Sequence, residues 1–222
     1  MTDTQMVDSL LEVVLPALRG VTGVLHIGAH LGQEAELYRD HGINRVTWIE
    51  ANHDIILDLI KHVAAISSGS RVIEAAVGRY PHRGRLHKTS DGGASSSLKE
   101  SDRHSSLWPE ISVTDIDETD VTTIDLLHEK HDFREHNLWV LDIQGGEVDA
   151  LVSALDSLHI ADYILCEFTG ELYRHGSCPS EIDRMMLDFT ATAAWMSDAG
   201  FGEVFYQRIR RSGLGLLSAA KR

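Results

Sequence analysis

Short apolar runs alternate with amphipathic stretches along most of this chain, and that rhythm restricts its fold more than any other feature. "GVLHIG", "RVTWIE", "RVIEAAVG", "NLWVLD" and "ADYILCEF" each read as a buried strand. Between them lie helical segments. "QEAELYRDHG" closes at Gly42, and "HDIILDLIKHVAAI" places Ile56, Leu59, Ile60 and Val63 on one face. "GGEVDALVSALDSL" carries a stripe of Val148, Leu151, Val152, Leu155 and Leu158. Strands buried on both faces and joined by helices form a parallel sheet with right-handed crossovers. The expectation is an α/β doubly wound, mostly parallel sheet of about seven strands, with helices on both faces.

The ends of the chain extend this pattern. Residues 4–19 read as a helix through Val7, Leu10, Leu11, Val14 and Leu18. "PSEIDRMMLDFTATAAWMSDAG" reads as one long helix with Ser180 as N-cap, Asp183 in the capping-box position and Gly200 at its end. Its core face would be Ile182, Met185, Met186, Phe189, Ala193 and Met196. "FGEVFYQRI" and "GLGLLSAA" then read as a C-terminal antiparallel hairpin at the sheet edge. The rhythm breaks at 79–123, a Ser-, Asp-, Gly- and His-rich stretch too long for an ordinary connection. Edge strands near 84–89 and 111–123 with a mobile loop between them are expected there, on the substrate side of a single 1–222 domain.

Composition narrows the partners. The 222 residues carry a net charge of −14, which disfavours a nucleic-acid partner. No run of about eighteen apolar residues suggests a membrane span. The N-terminus has no basic leader, and two cysteines without a framework read as free thiols, so a cytoplasmic location is expected.

Ligands of an open parallel sheet bind at the carboxyl ends of its strands, where the strand order reverses. Every predicted parallel strand ends there on a polar group or a glycine turn: Gly28-Ala29-His30-Leu31-Gly32, Glu50-Ala51, Glu74-Ala75, Asp142-Ile143-Gln144 and Glu167. The first loop is G-x-x-x-G. A pyrophosphate grip needs G-x-G-x-x-G, and no Walker lysine follows, so the loop suits a nucleoside without phosphates. Glu50, ending the next strand, is placed to accept hydrogen bonds from a ribose diol. An NAD-dependent oxidoreductase and a non-catalytic nucleoside-binding module remain alternatives on this sheet, though the loop spacing argues against the former.

"HIGAHLGQEAELY", "VTWIEANHD", "EAAVG", "VTTIDLL" and "LWVLDIQGGEVDALVSAL" resemble, in order, the conserved blocks of the FkbM-type methyltransferases. These enzymes use S-adenosylmethionine on a class I Rossmann-like fold. The resemblance spans about residues 23–170, and "DIQGGE" is its most specific block. His26 and His30 stand where the family usually has Asp and Asn; Asn52 stands where a proline often follows, and Leu141 replaces a common lysine. The resemblance implies that Gly28, Ala29, His30 and Gly32 line the methionine and ribose side of the cofactor. Glu50, with Ala51 beside it, would hold the ribose; Glu74 and Ala75 would lie near the adenine, and Asp142 would face the methyl group with Gln144 close by. His26 and His30 are expected against the cofactor's polar tail. O-methylation of a small-molecule or glycan hydroxyl is the implied reaction.

A hydroxyl acceptor needs help losing its proton. Asp142, Glu147 and Glu167 are candidate bases, and Asp142 with Glu167 could chelate Mg²⁺. A Glu in a first helical turn, such as Glu147, is also favoured by the helix dipole alone. Among the 13 histidines, His128, His131 and His136 cluster without a zinc-site pattern, whereas His87 and His104 are possible acceptor-side bases. Ser95, Ser96 and Ser97 form either a substrate-facing loop or linker. A homodimer is compatible with all of this.

Overall fold

The computed structural model describes residues 9–101 and 103–209. Two sheets organise them. Strands β1 (Val24–Ile27), β2 (Val46–Glu50) and β3 (Ser70–Glu74) lead the chain. Strands β4 (Ala76–Val77), β5 (His82–Thr89) and β6 (Val113–Thr122) follow, and then β7 (Leu138–Leu141), β8 (Tyr163–Phe168), β9 (Phe189–Met196) and β10 (Gly202–Arg208). The main sheet has seven strands in the order β3-β2-β1-β7-β8-β10-β9. Its first five are parallel, and β10 runs antiparallel between β8 and β9.

Side-chain alternation explains why helices cover both faces. Leu25 and Ile27 of β1 pack with Trp139 and Leu141 of β7 into one core, closed by helices α5 (Ile124–His131), α6 (Glu147–Val152) and α7 (Pro179–Met185). Val24 and Val46 pack into the other, under α1 (Leu10–Val14), α2 (Ala35–Asp40) and α3 (Ile56–Ile66), while the short α4 (His104–Leu107) lies between β5 and β6. The chain winds outward in both directions from the β1–β7 pair, so the strand order reverses there and a crevice opens above it.

Several elements differ from the sequence reading. "RVIEAAVG" is not one strand: Ala75 hydrogen-bonds Glu50 O, and the chain then leaves the main sheet for β4. β4, β6 and β5 form a separate three-stranded sheet, so the strands of 79–123 do not edge the main one. The long helix expected at 179–200 stops at Met185, and its second half is β9. "FTATAAWM" is Thr-rich and aromatic, and pairing with β10 overrides its helical spacing. Cys178, not Ser180, caps α7, with Pro179 in its first turn. The hairpin is therefore β9–β10, and "GLGLLSAA" lies outside the described residues, as does the start of the expected 4–19 helix. Ile60 is exposed, and Leu155 lies beyond the end of α6 and is exposed too.

Candidate functional site

The first loop is shaped by contacts its glycines permit. Gly28 has φ +87°, and a Cβ there would lie 1.6 Å from Asp142 O, so only glycine lets β1 and β7 end side by side. Gly32 serves packing: a Cβ would meet Val63 Cγ1 of α3 at 2.6 Å. His30 sits in the left-handed region at φ 44°, which His and Asn tolerate better than most residues. Its Nδ1 accepts from the Gln33 amide at 2.7 Å, which leaves Nε2–H to donate to Gly92 O at 3.0 Å. His30 thus joins the loop to the 79–123 segment.

Glu50 is buried at the end of β2. Its two oxygens accept from His30 N at 2.8 Å and Asn52 N at 2.7 Å. Burial raises its pKa, and those backbone bonds oppose the rise. Each oxygen keeps a lone pair for a ligand hydroxyl.

The "DIQGGE" turn follows β7. Gln144 is left-handed at φ 53° and Gly145 at φ 95°. Glu147 folds back from the start of α6 to accept from Ile143 N at 3.0 Å and Gly145 N at 3.1 Å. Burial pushes its pKa up to about 7, and its second oxygen has no hydrogen-bond partner. Glu147 braces the turn and lies outside the cavity, contrary to its expected place among the reacting groups. The Gln144 amide nitrogen donates to Asp142 Oδ1 at 2.7 Å and to Glu167 Oε2 at 2.8 Å. Burial, then the Asp142 charge, raises the Glu167 pKa well above the usual carboxylate range.

The 79–123 segment roofs the crevice instead of hanging free. Asp91 accepts from Thr89 Oγ1 at 2.6 Å and Ser95 Oγ at 2.6 Å, closing the loop on itself. Ser97 donates to Gln144 O at 2.7 Å. Arg79 and Lys99 reach Asp149 of α6 at 2.8 and 2.5 Å. Burial alone would raise Asp149; the bonds from Lys99 and Arg79 outweigh it and hold its pKa low. Lys88 grips Asp54, just beyond β2, at 2.7 Å.

Together these parts enclose a cavity of about 470 Å³, within the range of small-molecule sites. Gly28, Ala29, His30, Glu50, Ala51, Ala75, Asp142 and Gln144 line it, as do Ser96 and Ser97. His26, Gly32, Glu74, Glu147 and Glu167 do not. His26 points to the α2 side, where it stacks on Trp48 (5.0 Å between ring centres) and its Nδ1 meets the Tyr38 hydroxyl at 3.0 Å. That burial lowers its pKa to about 4, so it is a neutral core group outside the main cavity, lining a small one beside Glu34 and Asp142. Glu74 is exposed and pairs with His53. His87 and His104 line a separate cavity of about 50 Å³. His136 is buried against Thr47.

Residues missed in the sequence also border the cavity. Glu34 lies 4.0 Å from His26 Nε2, and burial pushes its pKa up to about 7. Lys99 and Asp149 are others; only the glycine pair in "DGGASSSLK" signalled a built loop there. The Mg²⁺ expectation gains no support. Asp142 and Glu167 share the Gln144 amide, and the described residues contain no group of three or more His, Cys, Asp or Glu that could hold a metal ion.

The sheet order, the glycine turn at its switch point, and the acids at the ends of β2 and just after β7 define a Rossmann-like fold with its ligand crevice at the switch point. Solved structures share the fold. A protein of the NADB-Rossmann superfamily from Streptococcus agalactiae is 10% identical, with 93% of this chain and 70% of that one covered and a TM-score of 0.52. TrmK of M. capricolum, solved with S-adenosylhomocysteine, is 8% identical, with 92% and 70% covered and a TM-score of 0.52. Sp1610 of Streptococcus pneumoniae, assigned as a tRNA (m1A22) methyltransferase, is 12% identical, with 91% and 71% covered and a TM-score of 0.51. At such identities the likeness is one of fold alone. No curated protein matches the sequence. The methyltransferase FkbM domain matches residues 26–201, and the chain belongs to that family.

Proposed function

We propose that the protein moves the methyl group of S-adenosylmethionine to a hydroxyl of a small molecule or glycan. The observation that carries this reading is the pair of strand-end carboxyls joined by the Gln144 amide, one of which, Asp142, lines the cavity. Asp142 lines the crevice and would take the proton of an acceptor hydroxyl there. The cavity suits the cofactor. Gly28 leaves room for close backbone approach, Glu50 offers paired acceptors to a diol, and Ala51, Ala75 and Ile143 supply an apolar slot for a base. Bound there, S-adenosylmethionine would supply an electrophilic methyl on a sulfonium that departs neutral. The chain then has to align the acceptor, which supplies up to roughly 7–11 kcal/mol in favourable intramolecular models. The net charge of −14 favours a small polar acceptor over a nucleic acid.

The test is a transfer assay with methyl-labelled cofactor over sugars, polyketides and phenols, with and without EDTA. Asp142→Asn is expected to lower turnover by about 100-fold or more while the hydroxyl carries the label. Label found only on amines, or full turnover by Asp142→Asn, would remove the O-methylation reading.

A further inference from the structure

Gln144 is held from outside its own turn. Ser97 of the roof is 2% exposed, and its hydroxyl fixes the Gln144 carbonyl at 2.7 Å while accepting Lys99 N at 2.9 Å. Its backbone pairs with His87 on both sides, at 2.9 and 3.1 Å. The Gln144 side-chain oxygen meets the Tyr173 hydroxyl at 3.2 Å. That hydroxyl also meets Ser95 O at 2.9 Å, so its single proton spans the roof and the amide. Tyr173 belongs to the segment after β8, which the roof also grips through Arg174 N to Glu100 O at 2.8 Å. The outcome is a closed ring, Ser97–Gln144–Tyr173–Ser95. Its centre is the amide that bridges Asp142 and Glu167. A left-handed non-glycine residue stays in place only where its surroundings over-determine it, and this ring supplies that constraint.

We propose that Ser97 and Tyr173 are positioning residues of the methyl-transfer centre, acting through Gln144 to aim one amide at both strand-end carboxyls only when the roof is docked. This rests on the reading of Asp142 and Glu167 as that centre. An aimed N–H favours the charged form of the carboxylate that accepts it. Loosening Gln144 therefore raises the midpoint at which Glu167 gives up its proton. Asp142, Glu147 and Glu203, all acidic, face Glu167; His26 and Glu34 share a small cavity with it, and the Tyr173 hydroxyl also feels its charge.

The experiment is a carboxyl ¹³C NMR titration of the cofactor-free full chain, with Glu167 assigned through Glu167→Gln. Tyr173→Phe and Ser97→Ala are each expected to raise the Glu167 midpoint by about 0.5 pH or more. Ser97→Thr, which keeps the hydroxyl, is expected to titrate as the wild type does. Cofactor affinity of Tyr173→Phe should stay within about threefold of wild type, because Tyr173 does not line the crevice. An unmoved midpoint in folded Tyr173→Phe overturns the proposal even if Ser97→Ala does not fold. Calorimetry of the wild type with S-adenosylmethionine is run alongside. Absence of binding there would sink the methyltransferase reading, whereas the titration judges the ring by itself.

Discussion

His26 occupies the place where its family usually has an acid, and the structure turns it into a core residue. Its pKa, about 4 in the fold, lies below the ordinary 6.5, so the unfolded chain takes the proton first. The stability it contributes is complete above pH 6.5 and is lost as pH falls from 6.5 to 4, about 3 kcal/mol over that window. Glu34 and Glu147 act oppositely. Raised from 4.5 to about 7, they favour the folded state as pH falls from 7 to 4.5, so the whole-protein curve hides the His26 effect. A comparison isolates it. His26→Gln should be the less stable protein at pH 7, and its deficit should shrink by about 3 kcal/mol by pH 4, read from urea midpoints. A deficit that does not change with pH would contradict a neutral buried imidazole. Glu50 makes a separate residue-scale case. Glu50→Gln sets an amide N–H against His30 N–H or Asn52 N–H, costing about 1–3 kcal/mol, so cofactor Kd should rise about tenfold or more.

Among elements, the β1–β7 junction and the roof carry the site. Gly28→Ala drives a Cβ into Asp142 O, a backbone clash with no flexible side chain to yield. A loss of about 3 kcal/mol or more follows, near 10 °C in Tm. Gly42→Ala meets no neighbour and pays only for its φ of +75°, about 1 kcal/mol. Equal melting of the two variants would deny the junction its role. Asp149→Asn should weaken the Arg79 and Lys99 tie and speed proteolysis within 90–112, with the main sheet intact. The parallel strands were legible in the sequence because burial on both faces leaves near-continuous apolar runs. β9 was not, because Met185, Met186 and Phe189 keep helical spacing into its first residue, and short apolar runs do not declare their period. Gly28, Glu50 and Asp142 were legible because each ends a strand. Glu34, Lys99, Asp149 and Tyr173 were hidden: their roles come from docking between segments distant in sequence.

On the scale of the whole molecule, two windings of one sheet meet above β1 and β7, and a second small sheet supports the roof over the crevice. Among the described residues no helix is long and apolar enough to cross a membrane. Acid dominates both the surface and the strand ends, so a cationic sulfonium meets a favourable field as it approaches. The central claim is that this crevice holds S-adenosylmethionine between Glu50 and Asp142. Calorimetric titration of the wild type and Glu50→Ala with S-adenosylmethionine and S-adenosylhomocysteine tests it most directly. The account predicts one site per chain, with both ligands bound by the wild type and affinity lowered about tenfold or more in Glu50→Ala. Binding that is absent from the wild type, or indifferent to Glu50, would contradict it.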